Sequence, residues 1–147
     1  MHNRAKDVKV LAAGAAIAAA SNTNALGNAI DMTGFDGCMF VVPVEDSVAT
    51  GVATASAEEC ATSGGSYQTL VGDDAAATCV VDDDLNQKFL VVDVWKPRAQ
   101  FLKLRRKSAT ANIAYGSAVA ILYGASQRPT ALGDVLTRSL PVSPAEG

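Results

Sequence analysis

The chain predicts an all-β fold, a sandwich, barrel or jelly roll, and three features predict it. Eight or nine short apolar runs follow one another, each closed by turn residues. No helix-period segment of ten or more residues occurs after residue 25. The 49% hydrophobic content is dominated by Ala and Val, with only 5% aromatics, which suits closely packed sheets.

Taken in order, residues 8–20 are Ala-rich, which favours helix. However, Asp7-Val8-Lys9-Val10-Leu11 alternates polar and apolar, so the segment reads as a strand or as two short strands broken at Gly14. Ser21 to Ala25 is loop by composition. Gly34 and the Asp36-Gly37 pair are turn signals. Cys38–Val44 is a continuous apolar run of strand length and reads as a buried strand, which Pro43 ends or confines to an edge because it has no N–H.

Glu45 to Thr50 is a turn, Gly51–Ala57 an alternating strand, and Ser63-Gly-Gly-Ser66 a loop. Tyr67–Val71 and Ala77–Val81 are further short strands, separated by the turn at Gly72 and followed by the acidic loop Asp82–Asn86. Lys88–Trp95 and Gln100–Arg106, joined around Lys96-Pro97-Arg98, form the clearest expected hairpin. Asn112–Tyr115 and Ala118–Tyr123 are two short strands, or one broken at Gly116. From Thr130 the chain has little periodicity and two of its five prolines. Leu132–Leu136 could form one helical turn, and the rest is extended.

A length of 147 residues fits one domain and can bury a real core. Small side chains bury little area each, so modest stability as a monomer and a gain from assembly are expected.

The charges are segregated along the chain. From Val10 to Gln87 there are eleven carboxylates and no Lys or Arg; from Lys88 to Arg128 there are eight bases and one acid, Asp93. Either the two halves pair strand against strand within one fold, or the separation serves docking by charge onto further copies or a larger lattice.

The inventory disfavours an enzyme. The sole His is His2, so no Ser-His or Cys-His pair can be assembled on the core, and no phosphate- or nucleotide-binding glycine motif occurs. The acidic doublets Glu45-Asp46, Glu58-Glu59 and Asp73-Asp74 fall in turns, where solvation is the ordinary explanation. Three cysteines, 38, 60 and 79, without a Cys-x-x-Cys pair, read as free, mostly buried thiols rather than a zinc site. Asp82-x-Asp84-x-Asn86 imitates the start of a calcium loop, but Gln87 stands where that loop needs Gly, which leaves at most a weak ion site. No catalytic residue, cofactor or metal ligand is therefore assigned.

Arg4, Lys6 and Lys9 before the run Val10–Ala20 have the outline of a secretory signal. Asp7 and the Ala-rich, Gly-containing run argue against one, and the run is too short to span a bilayer. The net charge of −3 argues against bulk nucleic-acid binding.

The candidate partner-binding residues are Trp95, Lys96, Arg98, Lys103, Arg105 and Lys107. Phe101, Lys103, Arg105 and Lys107 share one strand face, and Leu102, Leu104 and Arg106 the other. The basic face is either simply solvated or docks on an acidic partner. No aromatics interleave the bases after Phe101, which disfavours a base-stacking platform. Trp95, the sole Trp, could plug the mouth of a sandwich or anchor a subunit contact.

One resemblance adds to this reading. Ile30-Asp-Met-Thr-Gly-Phe-Asp-Gly-Cys-Met-Phe-Val-Val42, Leu90-Val-Val-Asp-Val-Trp-Lys-Pro-Arg98, Leu102-Lys-Leu-Arg-Arg106, Thr110-Ala-Asn-Ile113 and Ala120-Ile-Leu-Tyr-Gly124 resemble blocks of the small structural proteins encoded beside the major capsid gene of tailed bacteriophages. The resemblance covers roughly residues 25–130. It implies a capsid cement or decoration protein: a β-sandwich of jelly-roll type, a dimer or trimer on the capsid exterior, made in the host cytoplasm, with the major capsid protein as partner and neither membrane nor nucleic acid. The expected organisation is an N-terminal arm over 1–28, a sandwich over 29–128 and a C-terminal arm over 129–147. The alternatives are a tail or head–tail connector subunit, and a secreted ligand-binding β-sandwich.

Overall fold

Short strands with polar turns between them leave the chain little choice but to stack sheets. The computed structural model describes residues 4–72, 74–127 and 130–144. Its strands are β1 (Lys9–Gly14), β2 (Ile17–Ala20), β3 (Asn24–Leu26), β4 (Ile30–Asp31), β5 (Gly37–Ser47), β6 (Val52–Cys60), β7 (Gln68–Thr69), β8 (Ala75–Thr78), β9 (Lys88–Trp95), β10 (Phe101–Ala109), β11 (Ile113–Tyr115) and β12 (Ala118–Tyr123). The fold is all-β. Among the described residues the sole helical element is a 3-10 turn at Arg4–Lys6.

The strands form two curled antiparallel sheets. In the first, β5 is central: β9 lines one side of it, and β12 and then β11 line the other, end to end. β1 pairs with β12 and β2 with β11, so these are also collinear. In the second sheet β10 is flanked by β6 on one side and by the collinear β3 and β4 on the other, and β6 carries β7 and β8 on its far side.

Alternation assigns the core. Phe40 and Val42 of β5, Leu102 and Leu104 of β10, Ile113, Tyr115 and Leu122 point between the sheets and are fully buried. Opposite them β6 presents Ala53, Ala55 and Ala57, whose small size lets the sheets approach.

Both breaks in the first sheet have a physical cause. Gly116 donates its N–H to Pro43 O at 2.9 Å, so Pro43 turns its missing N–H to the side where β11 gives way to β12. A Cβ at residue 116 would lie 2.9 Å from the Pro43 ring, which requires glycine there. Pro43 therefore neither ends β5 nor marks an edge: the strand runs on to Ser47. Arg106, reaching across from β10, closes the breaks from inside. Its guanidinium donates to Gly116 O at 3.0 Å and to Ala15 O at 2.7 Å, the latter between β1 and β2.

Several expectations change. Lys88–Trp95 and Gln100–Arg106 do not form a hairpin. β9 pairs with β5 in one sheet and β10 with β6 in the other, so Lys96–Gln100 crosses between the sheets. On β6 the one outward carboxylate, Glu58, stands opposite Lys103 in register. The segment expected as an arm over 1–28 supplies β1, β2 and β3, paired into both sheets. Asn24 and Ala25, expected as loop, open β3.

Gly27 links the sheets at this side. Its N–H bonds Leu104 O at 2.7 Å, while the next residue bonds Ala13 O at 2.9 Å. After residue 129 the chain lies along β1. Thr130 N bonds Lys6 O, Gly133 bridges Val10, and the Asp134 carboxylate accepts Ala12 N–H. Leu132–Leu136 is not helical, and residues 135–144 join no sheet, with Leu136 and Val142 fully or nearly fully exposed.

Candidate docking surface

The six candidate residues fall on two different surfaces. Lys103, Arg105 and Lys107 alternate on the outer face of β10, where β6 brings acid to base. Arg105 grips Glu58 through Nε–Oε1 at 2.5 Å and Nη2–Oε2 at 3.2 Å, and donates to Asn24 Oδ1 at 2.6 Å. The bonds to Glu58 hold the guanidinium above its ordinary pKa. Lys103 Nζ lies 4.5 Å over the Tyr67 ring. Lys107 is exposed. Two of these three cations are engaged within the subunit, but only Arg105 meets an acid of the other half. Arg105–Glu58 and Lys88–Asp84 are the only ion pairs among the described residues, so most of the opposite charge is not neutralised by direct contact.

Trp95, Lys96 and Arg98 form the second group, at the end of β9. They line an open groove of about 580 Å³ between β9 and the β6–β7 side of the other sheet, with Glu59, Leu70 and Val94 among its walls. The connection is tethered by the acidic half: the Glu59 carboxylate accepts the N–H groups of Arg98 and Ala99, both at 3.1 Å. Trp95 does not plug the sandwich. It is 59% exposed and stacks on Tyr123, ring centroids 6.0 Å apart, with Lys96 Nζ 5.4 Å above it. Lys96 holds φ 48°, a left-handed conformation uncommon for a side-chain-bearing residue, fixed by its N–H bond to Asp36 O at 2.7 Å.

Trp95 also belongs to a larger surface that residue-by-residue reading of the bases missed. On the first sheet's outer face, register places Phe89 beside Pro43, Val41 between Val91 and Val119, and Met39 beside Ile121. Phe89 and Val91 are 61% and 48% exposed. Asp93 is the single charge within these rows, and it accepts the Tyr123 hydroxyl proton. Burial, together with that bond, pushes Tyr123 up to about 12. The signal was present in the sequence: in β9 both alternation sets are apolar, Leu90/Val92/Val94 for the core and Phe89/Val91/Trp95 outside.

The face is polar at both ends, and each carries both signs: Asp36 and Asp93 stand near Lys96, while Lys88, paired with Asp84, stands at the other end. Lys96 and Arg98 stand at the Trp95 end. Glu45 and Asp46 close β5 at the other, next to the Asp82–Asp84 loop, which Asp83 N ties to Ser47 O at 2.9 Å.

The chemistry available is that of contact. No group of His, Cys, Asp and Glu side chains among the described residues could hold a metal. In the Asp82–Asn86 loop, Asp82 accepts Ala49 N–H, Asp83 accepts from Asn86, and Asp84 faces Lys88 at 3.7 Å. The Cys38 thiol is pushed up to about 12 by burial, then by Asp93, which disfavours the thiolate. His2 lies outside the described residues.

No protein-family model matches the chain, and no curated protein sequence matches it.

Proposed function

We propose that this protein is a structural virion subunit, a cement or decoration protein that binds the outside of a capsid and strengthens contacts between capsomers of the major capsid protein. The observation that carries the reading is the uncovered apolar face of the first sheet, with Phe89, Val91 and Trp95 largely in solvent. Contiguous exposed apolar patches of this kind mark protein-interaction surfaces. The action is mechanical: each docked copy removes apolar area from water, and the segregated charges steer and orient it.

The proposed fold type is the jelly roll. Its support is the strand order. With β1/β2, β3/β4, β7/β8 and β11/β12 each taken as one strand, the chain alternates between the sheets except at β6 and β7/β8, which are neighbours in the second, and its first and last strands are neighbours in the first sheet. Such double-sheet Greek-key folds recur in viral shells, although fold alone does not assign function. Residues 135–144, outside both sheets, act in this reading as an extended C-terminal arm.

The test is co-sedimentation with expanded capsids that lack this protein. Saturable pelleting, weakened by salt and by Val91→Arg, is the expected result. Failure to pellet with intact capsids at low salt overturns the proposal, and binding confined to the portal vertex replaces it with the connector reading.

A further inference from the structure

We propose that the unpaired edge of β9 is a strand-acceptor site, at which an extended, apolar segment of a partner protein adds to the first sheet. This edge is distinct from the sheet's apolar outer face, so either site can fail without the other.

The main chain of β9 defines the site. In an antiparallel pair, a residue turns its N–H and C=O to the same neighbour, and the next residue turns its own to the other side. Pro43 O accepts from Gly116, so the odd positions of β5 serve β11 and β12 and its even positions serve β9. By register, β5 therefore takes the main chain of Leu90, Val92 and Val94. Phe89, Val91, Asp93 and Trp95 turn theirs the other way, where no group among the described residues bonds them. Open edges are normally blunted by a bulge, a proline or a covering segment. Over Lys88–Trp95 there is no proline, and the register with β5 never shifts.

The opposite edge of the same sheet shows what such a row of groups takes. There the chain covers β1 with its own extended segment. Gly133 bridges Val10 in parallel, Asp134 N–H bonds Val10 O at 2.8 Å, and Thr130 Oγ1 donates to Val8 O at 2.6 Å. Among the described residues nothing covers β9 in this way.

Space for a strand lies alongside. The groove of about 580 Å³ runs beside Val92–Trp95, where the edge of the second sheet is interrupted. β7 ends at Thr69 and β8 begins at Ala75, and Leu70 and Asp74 of the link between them stand on the far wall. A strand laid on β9 fills this gap and closes the side of the sandwich. One set of its side chains faces Leu70, and the other continues the outer row of Val91 and Trp95, so apolar residues suit both. The charges at the mouth, Asp74 and Asp93 against Lys96 and Arg98, select neither sign. A row of main-chain donors and acceptors between apolar walls recognises an extended backbone, by strand addition. Residues 139–144 of this chain's own tail do not suit the site: Pro141 and Pro144 have opposite parity, so one of them always faces β9 without an N–H.

The test is selection from a displayed library of random peptides of about ten residues, the length of a long strand, against the full chain. The tightest binder is then resynthesised with each amide N-methylated in turn. Methylation at alternate residues should weaken binding at least about 10-fold, and at the residues between them should leave it unchanged, because every second N–H of an added strand faces β9. Amide hydrogen exchange gives a second readout. In the free chain Leu90, Val92 and Val94 should be protected and Val91, Asp93 and Trp95 open, and the bound peptide should protect the latter three. Asp93→Pro, which removes an open N–H, should abolish binding. Asp93→Ala, which loses the same carboxylate but keeps the N–H, should retain it. Val92→Pro, one position along, should instead lower the melting temperature, since it breaks the ladder to β5. A library that yields no binder, N-methyl effects without alternation, or full binding by Asp93→Pro overturns the inference. So do Asp93 and Trp95 amides already protected in the free chain. A peptide that meets every expectation yet leaves pelleting with capsids undisturbed supports the inference and leaves capsid docking to the apolar face.

Discussion

Replacing Tyr115 by Phe isolates one structural device of this fold, a hydroxyl from the first sheet inserted into the ladder of the second. Tyr115 is fully buried. Its hydroxyl donates to Lys107 O and accepts Thr54 N–H at 3.1 Å, and Thr54 and Lys107 stand opposite each other on β6 and β10. The single oxygen thus joins the first sheet to both β6 and β10 of the second. Phe preserves the ring and its packing, so no cavity term enters. Two hydrogen bonds at about 0.5–1.5 kcal/mol net each predict a loss of about 1–3 kcal/mol, with the upper half of that range expected because both backbone partners are left without solvent. With a urea m-value of about 2 kcal/mol/M for a domain this size, the unfolding midpoint should fall by about 1 M at unchanged slope. Urea titration followed by far-ultraviolet circular dichroism reads this directly. An unchanged midpoint would refute the reasoning, since it would mean that Thr54 and Lys107 satisfy each other as well without the hydroxyl as with it.

Other expectations concern separate parts of the molecule. Burial pushes Tyr115 up to about 12 from an ordinary value near 10. The folded state therefore holds this proton more tightly than the unfolded chain, so stability present below about pH 10 should fall as pH rises towards 12, and Tyr115→Phe should flatten that limb in alkaline denaturation. Gly27→Ala places a Cβ 2.1 Å from Ala13 O, against backbone that cannot step aside. A loss of about 2 kcal/mol or more is expected by thermal melting, with amide exchange rising first around Ala13 and Leu104. Glu58→Gln leaves Arg105, whose side chain is only 23% exposed, without its partner. We expect a loss of about 1–2 kcal/mol, reduced but not abolished by salt, and a salt-independent loss would show that the pair acts through packing instead.

How far the sequence could be read depended on whether a feature was local. β9 was legible to its ends, Lys88–Trp95, because Gln87 and Lys96 on either side lack the apolar alternation, and both adopt positive φ. The break around Gly116 was legible for the same reason. Pairing was not: the short connection after Trp95 has the length of a hairpin loop, yet it crosses between sheets, with β9 on β5 and β10 on β6. Pro43 was misread because a missing N–H is harmless wherever the neighbouring strand is also interrupted, and that interruption lies more than seventy residues away in Gly116. The arm expected before residue 29 is largely sheet, since Ala tolerates a strand once Gly14, Ala15 and Arg106 settle how its break is sealed. As to the surface, the six named residues were chosen for charge and for the lone Trp. The apolar outer face escaped because Phe89, Val91, Val41 and Ile121 each look like core residues until alternation is applied strand by strand.

The proposed role is tested most directly by adding this chain to purified phage capsids that lack a decoration protein and counting bound copies by quantitative mass spectrometry against the major capsid protein. The cement reading predicts a copy number comparable with that of the major capsid protein, falling towards zero when particles are stripped at high salt. A number matching a single ring at the portal, or no copies in the particle at all, would contradict it.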